Sequence, residues 1–133
     1  MDLNLTEDQE TIREVFAAFF DGETGPGRAR AAEPLGFDAA AWERLLETGA
    51  PGMGVAEAVG GGGASLADLA VVADAVGRTI APVPFVDHAV AGRLLVRLDA
   101  LDDGVLDGTT VATLAVRPAV AGEPVWSLVP SGA

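Results

Sequence analysis

The stretch VGGGGASLADLA, Val59 to Ala70, decides how this chain is read. Four glycines lead into a serine and then into an apolar-periodic segment. A run of this kind is a phosphate cradle, a flexible linker, or a turn that a packed fold requires. A Walker-type loop needs a strand before it and a closing Lys-Ser/Thr pair. Here a loop precedes it and the chain holds no lysine. A dinucleotide fingerprint needs a strand-turn-helix unit, and no strand pattern precedes Gly60. Helical patterns flank the run closely on both sides, which disfavours a free linker. The expected reading is a glycine-rich turn into a helix, because glycine accepts positive φ without steric cost.

Outward from that turn, the chain reads as helices. After the glycines, Ser65 is an N-cap with Asp68 three residues later. Leu66, Leu69, Val72, Ala73, Val76 and Ile80 are spaced for burial, and Pro82 and Pro84 end the helix. Ala70, Ala73 and Gly77 form a narrow strip that a second helix could approach. A further helix is expected from about Pro84 to Leu98, with Val86, Val90, Leu94, Leu95 and Leu98 on its inner face. Arg93 and Arg97 are expected on another face, near the C-terminal end where cations are favoured.

Before the glycines, Asp38 is an N-cap, with Phe37 and Trp42 at hydrophobic-staple spacing. Trp42, Leu45 and Leu46 make the buried face, and Gly49 is placed for a left-handed C-cap. Residues 25–36 read as a loop or short helical turn. The first helix starts at Thr6, whose side chain can form a capping box with Gln9. Ile12, Val15, Phe16, Phe19 and Phe20 give it one apolar face, and Gly22 with Gly25-Pro26-Gly27 ends it. Beyond residue 104 the pattern changes. Residues 109–116 (TTVATLAV) and 124–129 (PVWSLV) read as strands. The expected class is mainly α, with a helical domain over 1–103 and the start of a β domain over 104–133.

Composition narrows the chemistry. The chain has 133 residues, a net charge of -12, eight arginines and no cysteine. That sign is wrong for non-specific nucleic-acid binding and for anionic membranes. Schiff-base chemistry needs a lysine amine, and a thiolate site needs cysteine. One histidine is too few for a tight metal site. The acidic opening MDLNLTEDQE is not a secretory signal, and no apolar run approaches the ~18 residues of a membrane span. A cytoplasmic protein is expected. The ending PVWSLVPSGA stops after a strand-like stretch, as a piece of a longer chain would.

The order of these pieces resembles the N-terminal domain of the acyl-CoA dehydrogenases. Trp42, Leu45 and Gly49 are followed by MGVAEAVGGGGAS and then by LADLAVVADAVGRTIAPVPF, and the opening LNLTEDQETIREVFAAFF is similar to the family's first helix. The resemblance covers residues 1 to about 100. It implies an up-and-down helical domain in which the glycine run reverses the chain and holds no phosphate. It also implies a flavoprotein that oxidises an acyl-CoA to the 2,3-enoyl product with FAD, assembled as a dimer or tetramer. The base and most flavin contacts of such proteins lie in later domains, so no catalytic or cofactor-binding residue is assigned here. The resemblance places Phe85, Asp87, His88 and Ala91 beside the acyl chain. A lone histidine is more often structural or exposed than catalytic. Ala56-Glu57 and Val59 stand where the family has Pro-Glu and an aromatic residue. Where the family enters its β domain with a Thr-Glu-Pro pattern, this chain reads LAVRPAVAGEPV. That difference keeps a second expectation in play, a non-catalytic partner subunit of a hetero-oligomer, and a helical interaction module is the third.

Overall fold

The computed structural model describes residues 4–116 and 126–127. Six α-helices build it: α1 Glu7–Glu23, α2 Pro26–Ala31, α3 Ala39–Leu46, α4 Leu66–Arg78, α5 Phe85–Arg97 and α6 Asp103–Asp107. The fold is mainly α, as the helical periodicities predict.

The two long early helices start from linked caps. Thr6 Oγ1 accepts from the Gln9 N–H at 3.2 Å, and Gln9 Oε1 accepts from the Thr6 N–H at 3.1 Å. Ser65 and Asp68 repeat this box at α4, where Asp68 Oδ2 takes the Ser65 N–H at 2.7 Å. Gln9 Nε2 then donates to Asp68 Oδ1 at 3.0 Å, so the N-termini of α1 and α4 lie side by side. These hydrogen bonds hold the Asp68 carboxyl below its usual range, with Gln9 the largest cause.

From there α1 packs along α4. Phe20 is fully buried, with Phe19 against it edge-on at 5.1 Å between ring centres. Val15 is 56% exposed, contrary to its expected place on the apolar face. Phe16 and Phe20 already fill the contact with α4, and Val15 lies beside that stripe. In α3, Asp38 caps Ala41 N–H at 3.0 Å and also holds Arg28 of α2 through two bonds of 2.7 and 3.0 Å. Trp42 and Leu45 enter the core, Leu46 is half-buried, and Gly49 adopts φ 75.

α4 buries Leu69, Val72, Ala75 and Val76. Leu66 and Ile80, expected inside, are 67% and 61% exposed. They share a side of the helix with Ala70 and Gly77, which are exposed as well. A Cβ added at Gly77 would meet nothing within 4 Å.

The largest departure concerns α5. Its buried residues are Phe85, His88, Ala89, Ala91 and Gly92. Val86, Val90 and Leu98, expected to line its inner face, are 48%, 48% and 63% exposed. Residue size explains the choice. Ala89 and Gly92 let the helix backbone come close to its neighbours, and a Cβ at Gly92 would sit 3.6 Å from Val55 Cγ2. Valine and leucine there would force the elements apart.

The chain after α5 is tied back to the core. Trp42 Nε1 donates to the Gly108 carbonyl at 3.0 Å in a buried position. Residues 109–114 form no strand, and Ala115–Val116 pairs antiparallel with Trp126–Ser127. The rest of the stretches expected as strands lies outside the described residues. Among the described residues no helix is long and apolar enough to cross a membrane.

Candidate functional site

The glycine run is engaged with its own loop. The N–H groups of Gly60, Gly61, Gly62, Gly63 and Ala64 donate to the carbonyls of Glu57, Ala56, Gly52, Val55 and Met53, over 2.8 to 3.1 Å. None of these donors is left to cradle a phosphate. Gly60 turns the chain with φ 91, and a Cβ at Gly61 would fall 2.2 Å from the Val55 carbonyl oxygen. The run is glycine because two backbone segments touch here. FAD, which the resemblance implies, therefore finds no phosphate-binding loop in this stretch.

The folded loop forms one wall of a cavity of about 610 Å³. The start of α4 and the solvent-facing side of α5 complete it. Val55, Leu66, Val90 and Leu94 supply apolar surface, and Arg93 and Arg97 supply charge. Arg93 Nη1 donates to the Gly54 carbonyl at 2.9 Å and to that of Ala64 at 3.4 Å. It thereby fastens both ends of the glycine loop to α5. Both arginines thus share the cavity with Val90 and Leu94, whereas the sequence reading placed them on a face apart.

The residues expected beside an acyl chain divide. Phe85, His88 and Ala91 are 1%, 1% and 2% exposed and belong to the core side of α5. Asp87 is exposed at the start of the helix. His88 Nδ1 accepts the Ala112 N–H at 3.1 Å, which places the proton of the neutral ring on Nε2. Nε2 is buried without a hydrogen-bond partner among the described residues. The Trp42 ring meets the imidazole edge-on at 5.4 Å. Burial pushes the His88 pKa down, opposed by the Val105 carbonyl. His88 is thus a neutral core histidine that helps hold residues 105–112, not a group facing the cavity. Glu47, near the end of α3, is exposed and paired with Arg44 at 2.8 Å. Glu57 is exposed and lies against Gly63.

Sequence reasoning missed Val90, Leu94, Arg93 and Arg97 as members of one site. The available signal was the pair of arginines one turn apart on a helix whose remaining residues are almost all apolar.

Residues 6–98 match the family described as acyl-CoA dehydrogenase, N-terminal domain. The chain belongs to the acyl-CoA dehydrogenase family. It is 32% identical over 120 residues to an acyl-CoA dehydrogenase IpdE2 of Mycolicibacterium smegmatis, a match covering 86% of this chain and 38% of that protein. A protein of the same name from Mycobacterium tuberculosis is 30% identical over 119 residues, covering 84% of this chain and 37% of the relative. A benzylmalonyl-CoA dehydrogenase of Aromatoleum aromaticum is 36% identical over 78 residues, covering 59% of this chain and 21% of that protein. The chain thus spans less than two-fifths of the curated relatives' length. No solved structure matches it at a comparable level.

Proposed function

We propose that this chain is the N-terminal part of an acyl-CoA dehydrogenase-like flavoprotein. The whole protein oxidises an acyl-CoA to the 2,3-enoyl-CoA, with FAD as the electron acceptor. What supports this most is the family match over residues 6–98 together with a part-apolar cavity against α5. On this reading the cavity borders the acyl group. Val90 and Leu94 face it, Phe85, His88 and Ala91 form the packed layer behind, and Asp87 stands at the mouth of the helix. The protein works in the cytoplasm as a homo- or hetero-oligomer, a dimer or tetramer, in the breakdown of fatty acids or steroid side chains. Residues from 104 onward lead into its β domain.

The 133 residues alone are inactive on this reading, because the base of such dehydrogenases lies in later domains, and among the described residues no carboxylate lines the cavity. The test is a visible absorption spectrum of the natural-length protein, followed by addition of acyl-CoA. Flavin bands that bleach with acyl-CoA support the dehydrogenase. Reduction of an artificial electron acceptor by the 133 residues alone overturns the inactivity.

A second reading is a non-catalytic subunit paired with a flavin-bearing relative. The stretch LAVRPAVAGEPV, with Arg117-Pro118 in place of the family's Thr-Glu-Pro pattern, favours it. A colourless protein that co-purifies with a flavin-bearing relative supports this second reading over the first.

A further inference from the structure

The charge at the cavity is unusual for this molecule. Twenty acidic residues face eight arginines, and the net charge is -12. Most described arginines are engaged. Arg13, Arg28, Arg44 and Arg78 pair with Glu10, Asp38, Glu47 and Asp74. Arg93 is bound to the loop carbonyls of Gly54 and Ala64. Arg97 lines the cavity and, like the exposed Arg30 of α2 away from it, has no ion-pair partner among the described residues. It stands one turn beyond Arg93, past Val90 and Leu94, so a largely apolar wall leads to an uncommitted guanidinium.

The geometry points to a ligand that is apolar along most of its length and carries a carboxylate at the end that reaches Arg97. Resting on the reading that this cavity borders the acyl group, the substrate class is an acyl thioester with a second, distal carboxylate. Two physical facts carry this choice. A guanidinium presents a planar fork that matches a carboxylate with two hydrogen bonds. In a protein otherwise this acidic, an unpaired cation at the end of an apolar wall marks a place in the cavity where negative charge is favoured over methyl. The adjoining Arg93 adds to that field while its own hydrogen bonds keep it in place. The cavity volume of about 610 Å³ lies within the ordinary range for small-molecule sites.

The test is calorimetric titration of the natural-length protein with two pantetheine thioesters that lack the phosphates of coenzyme A. Suberyl pantetheine ends in a carboxylate, and octanoyl pantetheine is its methyl-ended counterpart of equal length. Suberyl pantetheine binds about fivefold more tightly at low salt, as a partly exposed ion pair allows. Arg97→Gln removes the preference by weakening suberyl binding, while Arg97→Lys keeps part of it. Arg97 is exposed in the last turn of α5, and an unchanged circular dichroism melt confirms that each variant folds. Equal binding of the two thioesters overturns the distal carboxylate while leaving the acyl-site reading intact. Binding of neither overturns both, since the cavity then takes no acyl group. A third titration uses coenzyme A alone. If it binds in an Arg97-dependent way and displaces suberyl pantetheine, the anion recognised is phosphate and the carboxylate assignment fails.

Discussion

Helix α5 carries two faces of similar apolar character and opposite fate. One holds Phe85, His88, Ala89 and Gly92 in the core. The other leaves Val86 and Val90 48% exposed beside Arg93 and Arg97. Side-chain hydrophobicity does not separate them, since Val86 and Val90 sit outside and a histidine sits inside. Shape separates them. The inner face combines one large ring with small residues, so the backbone nests against Val55 and the loop that carries it. The outer face is a wall of branched side chains with charge at its end, suited to a ligand or a covering surface. A helix face is buried because it fits its neighbours closely, not because it is the more apolar of two.

The comparison is sharpened by changing one face at a time. The largest effect is expected at Phe85→Ala on the inner face. It removes a ring that is 1% exposed and should cost about 3–5 kcal/mol in urea unfolding. Next is the loop that the inner face leans on. In Gly61→Ala the new methyl would lie 2.2 Å from the Val55 carbonyl, so the loop must open. A loss of about 1–3 kcal/mol is expected, with faster amide exchange at Gly62, Gly63 and Ala64. Trp42→Phe tests the tie behind the same face. It leaves the buried Gly108 carbonyl without its donor and should cost about 1–3 kcal/mol.

A smaller effect is expected from acid. The native pKa of His88 lies below its unfolded value of ~6.5. The unfolded chain therefore binds more protons just below that pH, and the native state loses stability as pH falls through it. Urea midpoints at pH 7.5 and 5.5 should differ in this direction, and the difference should vanish in His88→Gln. His88 is the chain's single histidine, so no other side chain of ordinary pKa titrates in that window. The smallest effect belongs to the outer face. Val90→Ser should change stability by less than about 0.5 kcal/mol. A loss as large as that of Phe85→Ala would show that the two faces are not distinct.

Local signals were legible wherever a few neighbouring residues settle the matter. Thr6 with Gln9 and Ser65 with Asp68 form the boxes that their spacing predicts. Asp38 caps α3, and Gly49 closes it in the left-handed region. The Asp74–Arg78 pair sits one turn apart at 2.6 Å, as its spacing suggests. The sense of the glycine run was also legible, because lysine and a preceding strand were missing. The cavity was not. Its walls come from residues 54–66 and 90–97, and their meeting depends on how α5 rotates about its axis. The Arg93 bonds to Gly54 and Ala64 span 39 and 29 residues of sequence, beyond the reach of any local pattern.

By itself the sequence determined four of the six described helices (α1, α3, α4 and α5), the N-caps of α1, α3 and α4, the turn at the glycines and the family, because each rests on short-range backbone and side-chain chemistry. Only the tertiary structure decided which side of α5 is core, that His88 is buried, and that Arg97 stands at the end of an apolar wall with no ion-pair partner among the described residues. Those outcomes depend on fit between surfaces distant in the chain. A periodicity of apolar residues reports that a face can be buried, and packing selects the face that is.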